Sequence, residues 1–331
     1  MNRLIRRSAA SAAVWSAALA TLAVLAMPLS ASAQTWPNKP VRLIVPFPAG
    51  GATDIIGRLV AQKMTEVWGQ TVIVENKPGA GTVVGTDMVA KAAPDGYTLG
   101  MVITAHVINP SLRRDMPFDT IKDLSGVTQV AQAHLVLAAH PAFEANTVAE
   151  LVALARKNPG KYSYATPGSG TSMHLTMELL KVQTGIDILH VPYKGGAPAT
   201  QDVIGGRVPL LTDVHYASAP NIKAGKLKVL ALMSPARPAT SPELPVIAET
   251  VPGVSSISII GIVAPAGLPR DLLQKISADI ARAVKTSELA KRMTDMGMEP
   301  VGSTPEQYDA LIKSEIEKWG PVVKASGAKA D

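Results

Sequence analysis

The chain has 331 residues, 47% hydrophobic but only 4% aromatic, so its core is mostly Ala, Val, Leu and Ile, with length for two domains of ordinary size. It contains no cysteine, which excludes disulfides, thiolate metal sites, a cysteine nucleophile and a lipoprotein anchor. The formal charge of +6 is a mild excess spread along the sequence and does not argue for a nucleic-acid partner.

The first residues read as an address. Arg3, Arg6 and Arg7 form a positive region, an Ala- and Leu-rich run extends from Ala9 to about Met27, and Ala31-Ser32-Ala33 fits a small-residue cleavage site. The run is also long enough to span a membrane, so an uncleaved anchor is the competing reading; Pro28 and the Ala-Ser-Ala end favour a signal peptide over residues 1–33. Its removal would take three arginines and no acid, leaving a mature charge of +3. No later apolar run is long enough to cross a membrane, and an exported chain without cysteine suits a bacterial periplasm.

Strand-like and helix-like segments then alternate. Val41–Phe47 reads as a strand, 53–67 as a helix, 72–75 as a strand, 84–92 as a helix and 97–103 as a strand. A long strand is predicted over Val127–Ala139, a helix over 147–157, a strand over 162–166 and a helix over 172–183. Strands at 188–192, 208–213 and 228–233 alternate with helices at 198–204 and up to about Lys223. Three helices close the chain at 269–285, 287–296 and 304–318. Short apolar runs between helices read as buried parallel strands, which makes the fold class α/β with right-handed crossovers. In such sheets ligands sit beyond the carboxyl ends of the strands.

Two glycine-rich stretches lie at such ends. The first is VPFPAGGATD, Val45–Asp54; the second is ATPGSGTSMH, Ala165–His174. Glycines let a ligand approach the backbone, and the first turn of the following helix offers unpaired N–H groups and a partial positive charge. A carboxylate or phosphate can be held there without a lysine or arginine. Each stretch can also be a simple capped turn. Tyr193-Lys194-Gly195-Gly196 is a third, weaker loop of this kind, and Asp213 at a strand end is either a helix N-cap or an acceptor for a ligand hydroxyl or ammonium.

Other chemistries lack their signatures. There is no Walker loop, no G-x-G-x-x-G after the first strand and no G-x-S-x-G around Ser169, so no nucleotide cofactor or serine nucleophile is expected. None of the six histidines shows zinc-site spacing; His106 and His174 are kept as neighbours of the candidate loops. No catalytic residue, cofactor or metal is assigned.

Several pieces, in this order and spacing, resemble one family along essentially all of the mature chain. They are Trp36-Pro37-Asn38-Lys39-Pro40, VPFPAGGATD, VENKPGAGTVVG (Val74–Gly85), PDGYTL (Pro94–Leu99), Asn109-Pro110, NPGKYSYATPGSGTSMH (Asn158–His174), HVPYKGGAPA (His190–Ala199), IKAGKL (Ile222–Leu227) and APAGLP (Ala264–Pro269). The chain is similar in these to the Bug, or TctC-like, receptors of tripartite tricarboxylate transporters. The resemblance implies a type II periplasmic binding-protein fold: two α/β domains, residues 34–135 with 258–331 and residues 136–257, joined by two crossing strands and closing on a ligand by hinge motion. It implies that a ligand carboxylate is held by Ala49, Gly50, Thr53 and Asp54 and by Ser169, Gly170 and Thr171. Thr104, Ala105 and His106 would line the same cleft, with Asp213 near the distal end of the ligand. It also implies a monomer that delivers its solute to membrane permease subunits or docks on a sensor; an enzyme acting on a carboxylated substrate is the remaining alternative. One departure is Ile259-Ile260 before Gly261, where many members carry an aromatic pair, so a small aliphatic carboxylate is expected rather than an aromatic one.

Overall fold

The computed structural model describes residues 36–329, and the leader with its cleavage site lies outside them. The chain divides into two compact units, Met1–Asn38 and Lys39–Asp331. Of the first, only residues 36–38 are described, and there Pro37 follows a cis peptide bond.

The second unit is built on β-α-β crossovers. Strand β1 (Val41–Val45) pairs in parallel with β2 (Val72–Asn76) and β3 (Thr98–Ile103), with helices α1 (Ala52–Trp68) and α2 (Val83–Ala90) between them in sequence. Strands β1 and β2 end just before Pro46 and Lys77-Pro78. Helix α3 (Ala105–Leu112) follows β3 directly. After the long β4 (Leu124–Ala139) and α4 (Val148–Lys157) the pattern repeats. Strand β5 (Ser163–Thr166) pairs in parallel with β6 (Leu189–Pro192) and β7 (Leu210–Val214), with α5 (Ser172–Thr184) and α6 (Gly196–Ile204) between. Next come α7 (His215–Lys223), β8 (Lys228–Leu232), the short α8 (Ile247–Thr250) and β9 (Ile257–Pro265). The chain then runs through α9 (Arg270–Val284), α10 (Ser287–Asp295), β10 (Met298–Pro300) and α11 (Pro305–Ser326).

The strand order is β2-β1-β3-β9-β4-β7-β5-β6, with β8 and β10 also pairing with β4. The expectation of parallel strands therefore holds within β1–β3 and β5–β7 but not at the join. There β9 runs antiparallel to both β3 and β4, and β4 runs antiparallel to β7, β8 and β10. Strand β4 meets β9 along Leu124–His134 and β7 along Leu135–Ala139, so one strand belongs to both halves of the sheet. Its residues are buried almost throughout, as a strand covered on both faces must be.

Helix α11 packs over this join. A capping box at Thr304 and Gln307 starts it, and Tyr308 in its first turns lies against the bare backbone of Gly261 in β9. Tyr308 and Trp319 of this helix are among the largest fully buried side chains. The helix continues past Pro321 to Ser326, eight residues beyond the predicted end at Lys318. Helices α3 and α8 and the three-residue β10 are also additions to the predicted elements.

Candidate functional site

A cavity of about 520 Å³ opens at the carboxyl ends of β3 and β5. Two other hollows, of about 610 and 680 Å³, are more open to solvent and lie around Arg114 and around His215. The 520 Å³ cavity is the one lined by the Gly-Ser-Gly loop and the start of α3.

One wall comes from the start of α3: Thr104, Ala105, Ile108, Asn109 and, at its far end, Leu112 and Arg113. Thr104 Oγ1 accepts the Ile259 amide at 2.9 Å, which leaves its hydroxyl proton free to donate. The opposite wall is the turn Pro167 to Thr171 and the first turn of α5, Ser172 and Met173. Here Thr171 is the N-cap: its Oγ1 accepts the His174 amide at 3.3 Å and donates to the Gly168 carbonyl at 2.8 Å. Gly170, at φ +73°, donates its amide to His174 Nδ1 at 3.1 Å. The cavity thus lies between two helix N-termini, each a source of partial positive charge and unpaired N–H groups.

A third part of the wall is the turn Ala80-Gly81-Thr82. All three residues have positive φ, 45°, 60° and 84°, and two of them are not glycine. Such backbone costs on the order of 1–3 kcal/mol per strained residue and persists only where its surroundings enforce it. Asn109 does so, donating from Nδ2 to the Gly81 carbonyl at 2.9 Å. Phe47 and Ser258 complete the wall.

Beneath the second loop lies a polar stack. The ring of His174 stacks on His190 at 3.8 Å, and His190 stacks on Tyr164 at 5.0 Å. Burial, with the charges of His174 and Lys181, pushes His190 down to about 3, so it is neutral at ordinary pH. His190 Nε2 lies 2.7 Å from Thr166 Oγ1, and Tyr164 donates to the buried Glu178 at 2.6 Å. These groups fix the loop from below; none of the rings lines the cavity.

The structure therefore brings Thr104, Ala105, Ser169, Gly170 and Thr171 together on one cavity. It does not bring Ala49, Gly50, Thr53 and Asp54 to that wall, where their loop is represented by Phe47. The Asp54 carboxylate is buried and turned back on its own turn. It accepts the Gly50 amide at 2.8 Å, Arg58 Nε at 2.9 Å and Asn76 Nδ2 at 2.8 Å. Burial alone would raise its pKa, but the hydrogen bonds from Arg58, Gly50 and Asn76 outweigh this and hold it at about 2. His106 points into a different hollow, of about 110 Å³, beside Thr120 and Asp309, and burial depresses it to about 4. Asp213 is buried next to Gly196 and accepts the Val214 amide at 2.8 Å; burial raises it to about 6. Neither side chain is on the cavity wall. Ile259 and Ile260 are core residues, 3% and 4% exposed, and Ser258 is the residue of β9 that faces the ligand space. The expected role of that pair in choosing between aliphatic and aromatic ligands is thereby removed in this chain.

Ala80–Thr82, Asn109 and Arg113 were not assigned to the site from sequence. The glycine cluster at Asn76–Gly81 reads only as a turn, and the sequence offers no motif at Arg113. Among the described residues no group of three His, Cys, Asp or Glu is placed to hold a metal ion, and no helix is long and apolar enough to cross a membrane.

The family model of the tripartite tricarboxylate transporter family receptor, TctC, matches residues 56–328. Protein BugT of Bordetella pertussis is 34% identical over 301 residues, 90% of this chain and 92% of its own. Two solved structures from Rhodopseudomonas palustris share the fold. Rpa4515 with adipate has 32% identity and a TM-score of 0.75, covering 89% of this chain and 99% of its own. MatC with bound malate has 29% identity and a TM-score of 0.71, covering 87% and 100%. The fold and the cavity define a periplasmic solute-binding protein of the α/β, two-domain kind. The chain belongs to the TctC family of tripartite tricarboxylate transporter receptors, the Bug proteins.

Proposed function

We propose that this receptor captures a small carboxylate in the 520 Å³ cavity and delivers it to the membrane permease of a tripartite tricarboxylate-type transporter. The observation that carries this is the pairing of two helix N-termini, at Thr104-Ala105 and at Ser169–Ser172, across one cavity with no acidic residue among its lining residues. Such a site binds an anion through fixed N–H groups and hydroxyls. The relatives Rpa4515 and MatC hold adipate and malate, both carboxylates.

In this reading the two lobes are residues 34–135 with 258–331 and residues 136–257, and β4 and β9 are the hinge strands. Closing the lobes would bring the exposed turn Pro48–Gly51, which adjoins Phe47 on the wall, over the mouth of the cavity. The protein works in the periplasm as a monomer, after cleavage near Ala33, and performs no chemistry on its ligand. Docking of the closed form on a sensor instead of a permease is the second use of the same site.

The test is a thermal-shift screen of protein refolded free of bound solute, against mono-, di- and tricarboxylates, amino acids and aromatic acids. A ligand at about 100 times its Kd stabilises by about 2.7 kcal/mol. A carboxylate that shifts the wild type but not Ser169→Ala supports the assignment. A screen in which no carboxylate shifts the melting curve sinks it.

A further inference from the structure

Arg113 is the one charged side chain among the residues lining the cavity. It follows the last residue of α3, where its amide donates to the Asn109 carbonyl at 2.9 Å and so fixes where its side chain departs. The guanidinium runs to Gly81. A Cβ added there would lie 2.8 Å from Nη2 and 3.7 Å from Cζ, so the space for the cation exists only because residue 81 has no side chain. Asn109 pins that glycine in place from the same helix.

Among the described residues the Arg113 guanidinium makes no hydrogen bond and no ion pair, and its Nε is buried without a partner. A partly buried guanidinium with an unmet N–H is unfavourable unless something completes it. Two acids that share an open hollow with Arg113, Asp119 and Asp123, hold other partners. Asp119 accepts the amides of Ile121 and Lys122 and pairs with Lys122 Nζ at 3.2 Å, and Asp123 accepts the Asp119 amide at 2.7 Å. Arg113 also borders the open hollow around Arg114, and on its cavity side no lining residue supplies the missing partner, which a bound ligand can.

We infer that Arg113 is a specificity-determining residue that pairs with a second anionic group of the ligand, which makes the ligand a dicarboxylate. This rests on the carboxylate-receptor reading above and adds to it. One carboxylate is held by the helix N-termini and the hydroxyls of Thr104 and Ser169. The other meets the flat guanidinium, whose parallel N–H groups match both oxygens of a carboxylate. Discrimination against a monocarboxylate follows, since a ligand without the second carboxylate leaves the buried Nε unpaired.

The experiment is isothermal titration of the refolded protein with succinate, glutarate and adipate, each paired with the monocarboxylate of the same chain length and with its own monomethyl ester. The wild type is expected to bind the best dicarboxylate about tenfold or more tighter than its monocarboxylate and ester partners. Arg113→Gln should erase that ratio by weakening the dicarboxylate alone, and Arg113→Lys should restore it only in part. Equal binding of dicarboxylate and ester by the wild type, or a preference that survives in Arg113→Gln, overturns the inference and leaves the carboxylate receptor standing. If neither mono- nor dicarboxylates bind, both fall. Should Arg113→Gln lose its melting transition, the wild-type comparison of acid with ester decides alone.

Discussion

Gly170 and Leu112 face each other across the rim of the cavity so closely that a Cβ on Gly170 would lie 2.5 Å from Leu112 Cδ2. Gly170 also sits at φ +73°, where a side chain is strained in any surroundings. Gly170→Ala is therefore expected to lower stability by about 1–3 kcal/mol and to weaken carboxylate binding, because the second helix N-terminus is pushed away from α3. Melting curves with and without a saturating carboxylate separate the two effects. A variant that binds and melts like the wild type would show that the two walls do not depend on this contact.

Asn109 holds the strained turn by its bond to the Gly81 carbonyl, and it is only 5% exposed. Asn109→Ala leaves that turn without its tether. The expected loss is about 1–3 kcal/mol in stability together with a larger fall in ligand affinity than Ser169→Ala gives. Urea unfolding and titration on the same preparations measure both.

The two buried aspartates should give opposite pH signatures. Asp54 is held at about 2 in the fold, below its unfolded value near 3.8, so its contribution is complete above pH 4 and is lost as pH falls towards 2. Asp213 is raised to about 6, so the fold favours its neutral form; stability from this group is greatest below pH 4 and is lost as pH rises through 6. Asp213→Asn should thus raise the melting temperature at pH 8, by an amount matching roughly 2–3 kcal/mol, and change it little at pH 4. Asp54→Asn should lower it by about 2 kcal/mol at pH 7 and much less near pH 2. Melting temperatures of the two variants measured from pH 2 to pH 8 check the signs.

Gly261→Ala would place a methyl group into the ring of Tyr308. Both partners are fixed, one in the centre of β9 and the other fully buried on α11, so neither can give way. The expected loss is about 3 kcal/mol, read as a fall in the denaturation midpoint. Pairing it with Tyr308→Phe, which removes only the hydroxyl, should recover little, whereas Tyr308→Leu should recover more at the price of a poorer core.

What was legible in the sequence follows from what local chemistry dictates. The strand and helix alternation up to β3, and from β4 to β7, is carried by short apolar runs and by caps such as Thr147 and Thr171, whose side chains do accept first-turn amides. The Gly-Ser-Gly loop could be placed because glycines, hydroxyls and a helix start are adjacent in the chain. Helix α3 was not legible: Pro110 sits inside its eight residues and argues against a helix there. The same objection ended α11 at Lys318, ahead of Pro321, although packing of Val322 and Val323 into the core carries the helix on. Without α3 there is no element to carry Arg113 to the cavity, and no local pattern marks it. The first glycine loop could be picked out in the same way, but not its internal pairing. Its amide donor at Gly50 is already matched by Asp54, four residues away, a pairing that becomes visible only once the turn is built.

Because β4 donates its first eleven residues to one half of the sheet and its last five to the other, no cut in the chain frees either half with its strands complete. A fragment spanning residues 136–257 would lack the part of β4 that β9 covers, together with Leu135 that pairs with Val214, and the remainder would lose Ile257, the partner of His134. The protein should consequently unfold as one cooperative unit, with a single heat-absorption peak. Under the proposed lobe closure, any movement would have to bend this shared strand, since the two halves are not independent parts.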